Sequence, residues 1–361
     1  MAVETQVVAM HMSDGIINAP TSALFWAVAL AGIGIAIWRA RTELDERTAP
    51  MAGLVAAFIF AVQMINFPIL PGVSGHLLGG ALAAILVGPY TGALCIAIVL
   101  TVQSLLFADG GLTALGVNVL DMGITTTAVA YVVFRGLTGV LPKSRRSTTA
   151  ASFVAALLSV PAAACVFTLI YWIGGTTDIP IGKVFTAMVG VHVLIGIGEA
   201  VITALTVGAV LAVRPDLVHG ARGLAAPLKL RVDGELVDAP VRQPVAPVAA
   251  RSTRGFWAAG LVTALVLAGF VSFYASSSPD GLEKVAADQG IDRKTEEHAA
   301  KDSPLADYGV KDISDARLSG GLAGVIGVGA TVVVGSGAFY LIRRRRTPDD
   351  SAGAVRTGET V

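Results

Sequence analysis

Residues 67–107 read FPILPGVSGHLLGGALAAILVGPYTGALCIAIVLTVQSLLF, a run without one Asp, Glu, Lys or Arg. So long an uncharged segment suits lipid, where a helix crossing the hydrocarbon core needs about 17–25 apolar residues. Two passages share the run, one starting near His76 and one near Thr91, both short and divided only by Gly88-Pro89-Tyr90. Working outward, seven further apolar stretches begin near Ser22, Met51, Leu112, Ala150, Val184, Phe256 and Gly321. All nine are expected as helices, because lipid offers backbone N–H and C=O groups no partner and the alternation of barrel strands is absent. The expectation is an all-α integral membrane protein of about nine transmembrane helices, a seven-helix bundle followed by a two-helix accessory unit.

The composition agrees. Of 361 residues 54% are hydrophobic and 14% charged, against roughly 25% charged in soluble domains, and the mean hydropathy is +0.72. Lys plus Arg and Asp plus Glu number 26 each, so no charge excess points to nucleic acid or to an acidic partner. Cys95 and Cys165 both fall in apolar runs, which excludes a disulfide framework and predicts two buried, inert thiols. The N-terminus lacks the pattern of a signal peptide, so the first apolar run is read as a true span.

Placement of the charges sets orientation and organisation. Basic clusters follow the first span (Arg39, Arg41, Arg47), the fifth (Arg135, Lys143, Arg145, Arg146), the seventh (Arg214, Arg222) and the ninth (Arg343 to Arg346). With nine spans these all fall on one side, which the positive-inside rule makes cytoplasmic. That places the chain in the cell membrane with its N-terminus outside and its tail, residues 343–361, inside. Residues 214–255 hold Pro215, Pro227, Pro240, Pro244 and Pro247 and are read as a cytoplasmic linker. It leads to an accessory unit at 256–342 whose outside loop, 276–320, carries ten Asp or Glu and six Lys or Arg and is expected to be solvated. Gly75-x-x-x-Gly79 and Gly320-x-x-x-Gly324 are read as close helix-packing sites.

Three of the five histidines fall where chemistry is possible, while His219 and His298 lie in segments read as solvated surface. His11 stands in Met10-His11-Met12-Ser13-Asp14-Gly15, and His76 in the bent entry to the third span. If Met10 is the first residue of the mature chain, its α-amine, the His11 amide and the His11 imidazole form fused five- and six-membered chelate rings. A fourth nitrogen from His76 would complete a planar set that suits Ni(II) or Cu(II) and admits Co(II) under an imposed geometry. Met1–Ala9 is then a leader that translation skips or processing removes. Within the bundle, Glu199, Asp121 and His192, with Gln63, Asn66, Gln103 and Asn118, are read chiefly as interhelical hydrogen-bonding groups. Asn66 and Gln103 are the candidates for orienting the ligand imidazoles.

Met10-His11 with Asp14-Gly15, Gln63-Met64-Ile65-Asn66-Phe67-Pro68, Ser74-Gly75-His76-Leu77, Asp109 to Gly116 (DGGLTALG) and His192 to Glu199 (HVLIGIGE) occur in this order. Together they resemble the substrate-capture subunit of energy-coupling-factor cobalt/nickel transporters, the CbiM/NikM family, over residues 10–213. The resemblance implies that Met10, His11 and His76 bind Co2+ or Ni2+ as transported substrate. It also implies that a coupling membrane subunit and ATPase subunits are separate partners. The leader is the departure from the family pattern. Ser278-Pro279-Asp280-Gly281-Leu282-Glu283 resembles the PDGLE motif of the small accessory component of such transporters; by its residues alone it is a turn. No G-x-x-x-x-G-K-[ST] occurs, so this chain has no Walker-type ATP site and is not expected to be an enzyme. Two alternatives stand beside this reading. One is a rhomboid-like intramembrane serine protease with Ser74 as nucleophile and His192 as base; the other is a passive or proton-coupled metal carrier.

Overall fold

The computed structural model describes residues 11–45, 48–221, 229–232, 235–238 and 254–344. Met1–Met10, which include the expected leader and the amine ligand, and the tail beyond Arg344 lie outside them. In chain order the elements are α1 (Ala19–Glu43), α2 (Thr48–Gln63), the hairpin β1 (Phe67–Leu70) and β2 (Val73–Gly75), α3 (Gly80–Val87) and α4 (Pro89–Phe107). Then come α5 (Leu115–Asn118), continued through a π-helical segment, Val119–Thr125, into α6 (Thr126–Val140), and the long α7 (Arg145–Gly174) and α8 (Ile181–Val213). After a small hairpin, β3 (Lys229–Val232) and β4 (Glu235–Asp238), follow α9 (Arg254–Gly269), α10 (Gly281–Gln289) and α11 (Ala316–Arg344).

Among the described residues seven helices are long and apolar enough to cross a membrane, while α2 has 16 residues. The third apolar stretch departs most from a simple span. Helix α3 has only eight residues, all buried, or about 12 Å of rise, and the chain reaches it from His76 through non-helical Leu77 and Leu78. Backbone groups at that depth need partners from the protein, and polar side chains supply them. Glu199 on α8 accepts from Leu78 N at 2.7 Å and Gly79 N at 3.1 Å, and Gln63 Nε2 donates to Leu78 O at 3.0 Å. At the far end, Glu43 accepts from Tyr90 N at 3.3 Å and Thr91 N at 2.7 Å, where α4 begins. Both carboxylates therefore sit at helix N-termini, where the backbone dipole favours them.

This break corrects the helix-packing reading of Gly75 and Gly79. Gly75 lies in β2, and Gly79 is the left-handed residue (φ +87°) just before α3, with Ile59 against it. The second pair is nearer the mark but shifted: Gly324 meets the Ala268 carbonyl and Gly321 that of Gly269 on α9, whereas Gly320 faces the Tyr308 carbonyl. Cys95 is buried as expected, but Cys165 is exposed on α7.

The C-terminal unit is packed into the bundle. Helix α11 runs along α2 and α9, with Gly327 against Phe60 and Phe107. Between α9 and α11, the acidic segment expected to be solvated is partly core: Val285, Ala286 and Ile291 join Met12, Ile16, Phe167 and Met188 in an apolar cluster. It also pairs with the β1–β2 hairpin, where Ser74 N donates to Pro279 O at 2.9 Å and Ser276 N to Asn66 O at 2.8 Å. His298, read as surface, is half-buried and lies 3.0 Å from the Gly110 carbonyl. His219 is likewise half-buried, its ring beside Tyr131.

Candidate metal site

The residues ahead of α1 are threaded into the bundle: Met12 is 1% exposed and Ile16 2%. Asn118 grips Met12 at both backbone groups, accepting from its N–H and donating to its C=O at 3.1 Å each. The Asp14 carboxylate takes Leu112 N, Thr113 N, Thr113 Oγ1 and Ala114 N at 2.6–3.3 Å, which caps the turn leading into α5. Asp109-Gly110-Gly111 lies against this segment so closely that a Cβ on Gly110 (φ +77°) would come 2.8 Å from His11 Cβ. One on Gly111 would come 2.1 Å from Asp14 Oδ1. The two glycines are there because the N-terminal segment occupies the space of their side chains.

Threading brings His11 to His76, with ring centroids 5.5 Å apart at 87° and both rings buried. His76 Nδ1 lies 3.1 Å from the Leu77 carbonyl; that contact assigns the proton to Nδ1 and leaves the lone pair on Nε2. Each ring also faces a carboxylate: His11 Nδ1 lies 3.2 Å from Asp109 Oδ1, and His76 Nε2 lies 3.6 Å from Asp280 Oδ2. Tyr308, stacked on Phe107, donates to Asp109 Oδ2 at 2.6 Å.

The two carboxylates are tuned in opposite directions. Burial disfavours an ionised Asp109, but the adjacent His11 together with the Tyr308 hydroxyl outweighs it and holds the carboxyl below its ordinary range. Burial, reinforced by the charge of Glu283, pushes Asp280 well above that range. Burial and the neighbouring Asp109 also raise Tyr308, which keeps it a donor.

Of the other predicted residues, Asn66 and Gln103 hydrogen-bond neither imidazole. Asn66 serves through its backbone carbonyl, and Gln103 lies beside the Tyr308 hydroxyl. The groups that do face the rings, Asp109, Asp280 and the Leu77 carbonyl, were not singled out from the sequence. Asp121 and His192 line the inner wall of a cavity of about 40 Å³ that His11, His76, Asn118 and Asp280 also border. Ser74 Oγ donates to the Ser278 carbonyl at 2.7 Å and His192 Nδ1 contacts the Met188 carbonyl, so the two do not form a nucleophile–base pair. Among the described residues no three His, Cys, Asp or Glu side chains are grouped closely enough to hold a metal ion unaided.

Fold and sequence together define a multi-pass helical membrane protein of the transition-metal transport class. The chain belongs to the family described as the cobalt uptake substrate-specific transmembrane region, which matches residues 11–217, and carries a PDGLE domain at residues 254–344. It is 37% identical to a putative fused nickel transport protein, NikMN, of Archaeoglobus fulgidus, over 94% of this chain and 100% of that one. A fused nickel transport protein NikMN of Rhodobacter capsulatus is 30% identical over 91% and 96%. A cobalt transport protein CbiM of Sorangium cellulosum is 32% identical and covers 58% of this chain. A crystal structure of a transition metal transporter superposes with a TM-score of 0.50 at 26% identity, over 56% of this chain and 93% of that one.

Proposed function

We propose that this chain is the substrate-binding membrane component of an energy-coupling-factor importer for Co2+ or Ni2+. In this reading the ion is held by the Met10 amine, the His11 amide and imidazole, and His76. The observation that carries it is the meeting of His11 and His76, 65 positions apart in sequence, at a 5.5 Å ring separation inside the bundle. The cavity of about 40 Å³ beside the rings accommodates about three water-sized groups at roughly 10–15 Å³ each. That is too small for an ion carrying a full shell of six waters, so capture strips water and replaces it with protein donors. Imidazole and amine bind only when neutral, so protons compete with the metal and retention falls as the pH is lowered. The six-membered ring closes through His11 Nδ1, the nitrogen that faces Asp109 Oδ1 at 3.2 Å, so the ion takes the place of that contact while Tyr308 holds Asp109 alongside.

With no phosphate-binding motif in the chain, concentration of a scarce ion draws on ATPase subunits through a coupling membrane subunit. The metal site faces the outside and the basic helix ends face the cytoplasm. The test is direct binding of Ni2+ and Co2+ to the purified chain, with mass spectrometry of its mature N-terminus. A terminus at Met10, and loss of binding in His11→Ala and His76→Ala, are expected; unchanged binding in both variants overturns the assignment. Uptake that proceeds undiminished without the coupling and ATPase subunits would instead favour the passive or proton-coupled carrier.

A further inference from the structure

Metal-binding histidines commonly have a carboxylate behind them, on the nitrogen remote from the metal. At His76 that place is taken by the Leu77 carbonyl, on Nδ1. Asp280 stands on the other side, with Oδ2 3.6 Å from the ligating Nε2. The two carboxylates of the site are alike in occupancy. Each has one bonded oxygen, Asp109 Oδ2 with the Tyr308 hydroxyl and Asp280 Oδ1 with the Glu283 N–H, and one without a hydrogen-bond partner, but Asp280, 1% exposed, is the one that belongs to the C-terminal unit.

The position of Asp280 is fixed from three directions. It caps α10, with Oδ1 accepting from Glu283 N and its own N–H donating to Glu283 Oε2, both at 2.8 Å. The preceding Pro279 carbonyl is bonded to Ser74 in β2. Gly281, which follows, lies so close to α8 that a Cβ would come 2.4 Å from Val191 Cγ1. A buried carboxylate oxygen without a hydrogen-bond partner, held this firmly beside an imidazole nitrogen, is placed to receive a cation.

We propose that Asp280 supplies an oxygen ligand to the captured divalent ion, a donor contributed by the C-terminal unit in addition to the nitrogen set. The proposal rests on the metal reading given above. Two donors 3.6 Å apart, each about 2.1 Å from a shared ion, subtend roughly 120° at it, and a shift of about 0.7 Å closes this to a right angle. An oxygen outside the nitrogen plane takes the ion from planar four-coordination to five-coordination, a geometry in which Co(II) and Ni(II) are both accommodated and strict preference for square-planar ions is relaxed.

The test compares the full-length wild type with Asp280→Asn, Asp280→Ser and His76→Ala, using Ni2+ as the probe. Asn and Ser are both good N-caps, so these variants remove the anionic ligand and retain the start of α10. Affinity is measured by chelator competition, and coordination by X-ray absorption at the nickel edge. Expected are a loss of about 10- to 100-fold in affinity for both Asp280 variants and the appearance in them of the edge feature of planar four-coordinate nickel, absent from wild type. Wild-type spectra and affinities within about twofold in both Asp280 variants, with binding still lost in His76→Ala, would overturn the role of Asp280 and leave the nitrogen site standing. Wild-type binding by His76→Ala would overturn the nitrogen site itself.

Discussion

Replacing Glu199 with Ala tests whether the broken third passage is what carries His76 to its place. The carboxylate accepts the Leu78 and Gly79 N–H groups at 2.7 and 3.1 Å inside the bundle, and its side chain is fully buried. Alanine leaves both donors without partners, at about 1–3 kcal/mol each, so the loss is about 2–6 kcal/mol. At about 2 °C per kcal/mol for a chain of this size, the melting temperature in detergent falls by about 4–12 °C. Glu199→Gln keeps one acceptor oxygen and falls by about half as much. Because Leu78 lies two residues beyond His76, release of this turn also lets the imidazole swing, and Ni2+ affinity drops by about tenfold or more. The assay is thermal unfolding followed by intrinsic fluorescence, with and without Ni2+. A Glu199→Ala protein melting within about 1 °C of wild type would refute the energetic reasoning, and a destabilised one with wild-type Ni2+ affinity would refute the link to His76.

Asp14→Ala frees the four groups that the carboxylate holds and should make residues 11–18 accessible to aminopeptidase or endoprotease while lowering Ni2+ retention more than about tenfold; an unchanged digestion pattern counts against it. Gly111→Ala forces a Cβ to within 2.1 Å of Asp14 Oδ1, an overpacking of about 1–3 kcal/mol or more that should appear as a lower melting temperature and the same loss of retention. Tyr308→Phe keeps the stack on Phe107 but removes the donor to Asp109; a loss of about 1.5–3 kcal/mol is expected, read as a fall in melting temperature. Ser74→Ala removes one hydroxyl bond to the Ser278 carbonyl and should cost about 1 kcal/mol with little change in Ni2+ binding, whereas a serine protease would lose its activity outright.

What could be read from the sequence is what short-range pattern encodes. Apolar runs mark membrane-crossing segments wherever the backbone stays helical, so α1, α2, α4, α6 to α9 and α11 lie where expected. The passage after His76 is as hydrophobic as its neighbours, and hydropathy cannot distinguish eight helical residues plus an extended approach from a short helix. Glu199, 120 positions beyond Gly79, and Gln63 show that unpaired backbone there is provided for. The imidazole pair was accessible through motif, since His11 and His76 lie in recognisable local contexts. Asp109 and Asp280 also lie in motifs, but their roles, like that of Tyr308, come from contacts across the fold: Tyr308 reaches Asp109 over 199 positions, and an isolated Pro-Asp-Gly-Leu reads only as a turn. Exposure of Cys165 likewise depends on which neighbours a helix has, information absent from its own run of residues.

Between Ala221 and Arg254 the described residues are those of β3 and β4, and the two helices on either side, α8 and α9, meet on the face where Val213, Arg214 and Phe256 line a common groove, opposite the imidazoles. Everything that joins the C-terminal unit to the site, from the Pro279–Ser74 pairing to Tyr308 on Asp109, is non-covalent and lies at the other end of the molecule. Covalent continuity thus fixes the copy number of the two units at one to one without dictating how they dock. A gene divided within residues 222–253 would encode two polypeptides that retain every one of these interfacial contacts, so fission and fusion at this point are changes of stoichiometric control rather than of architecture.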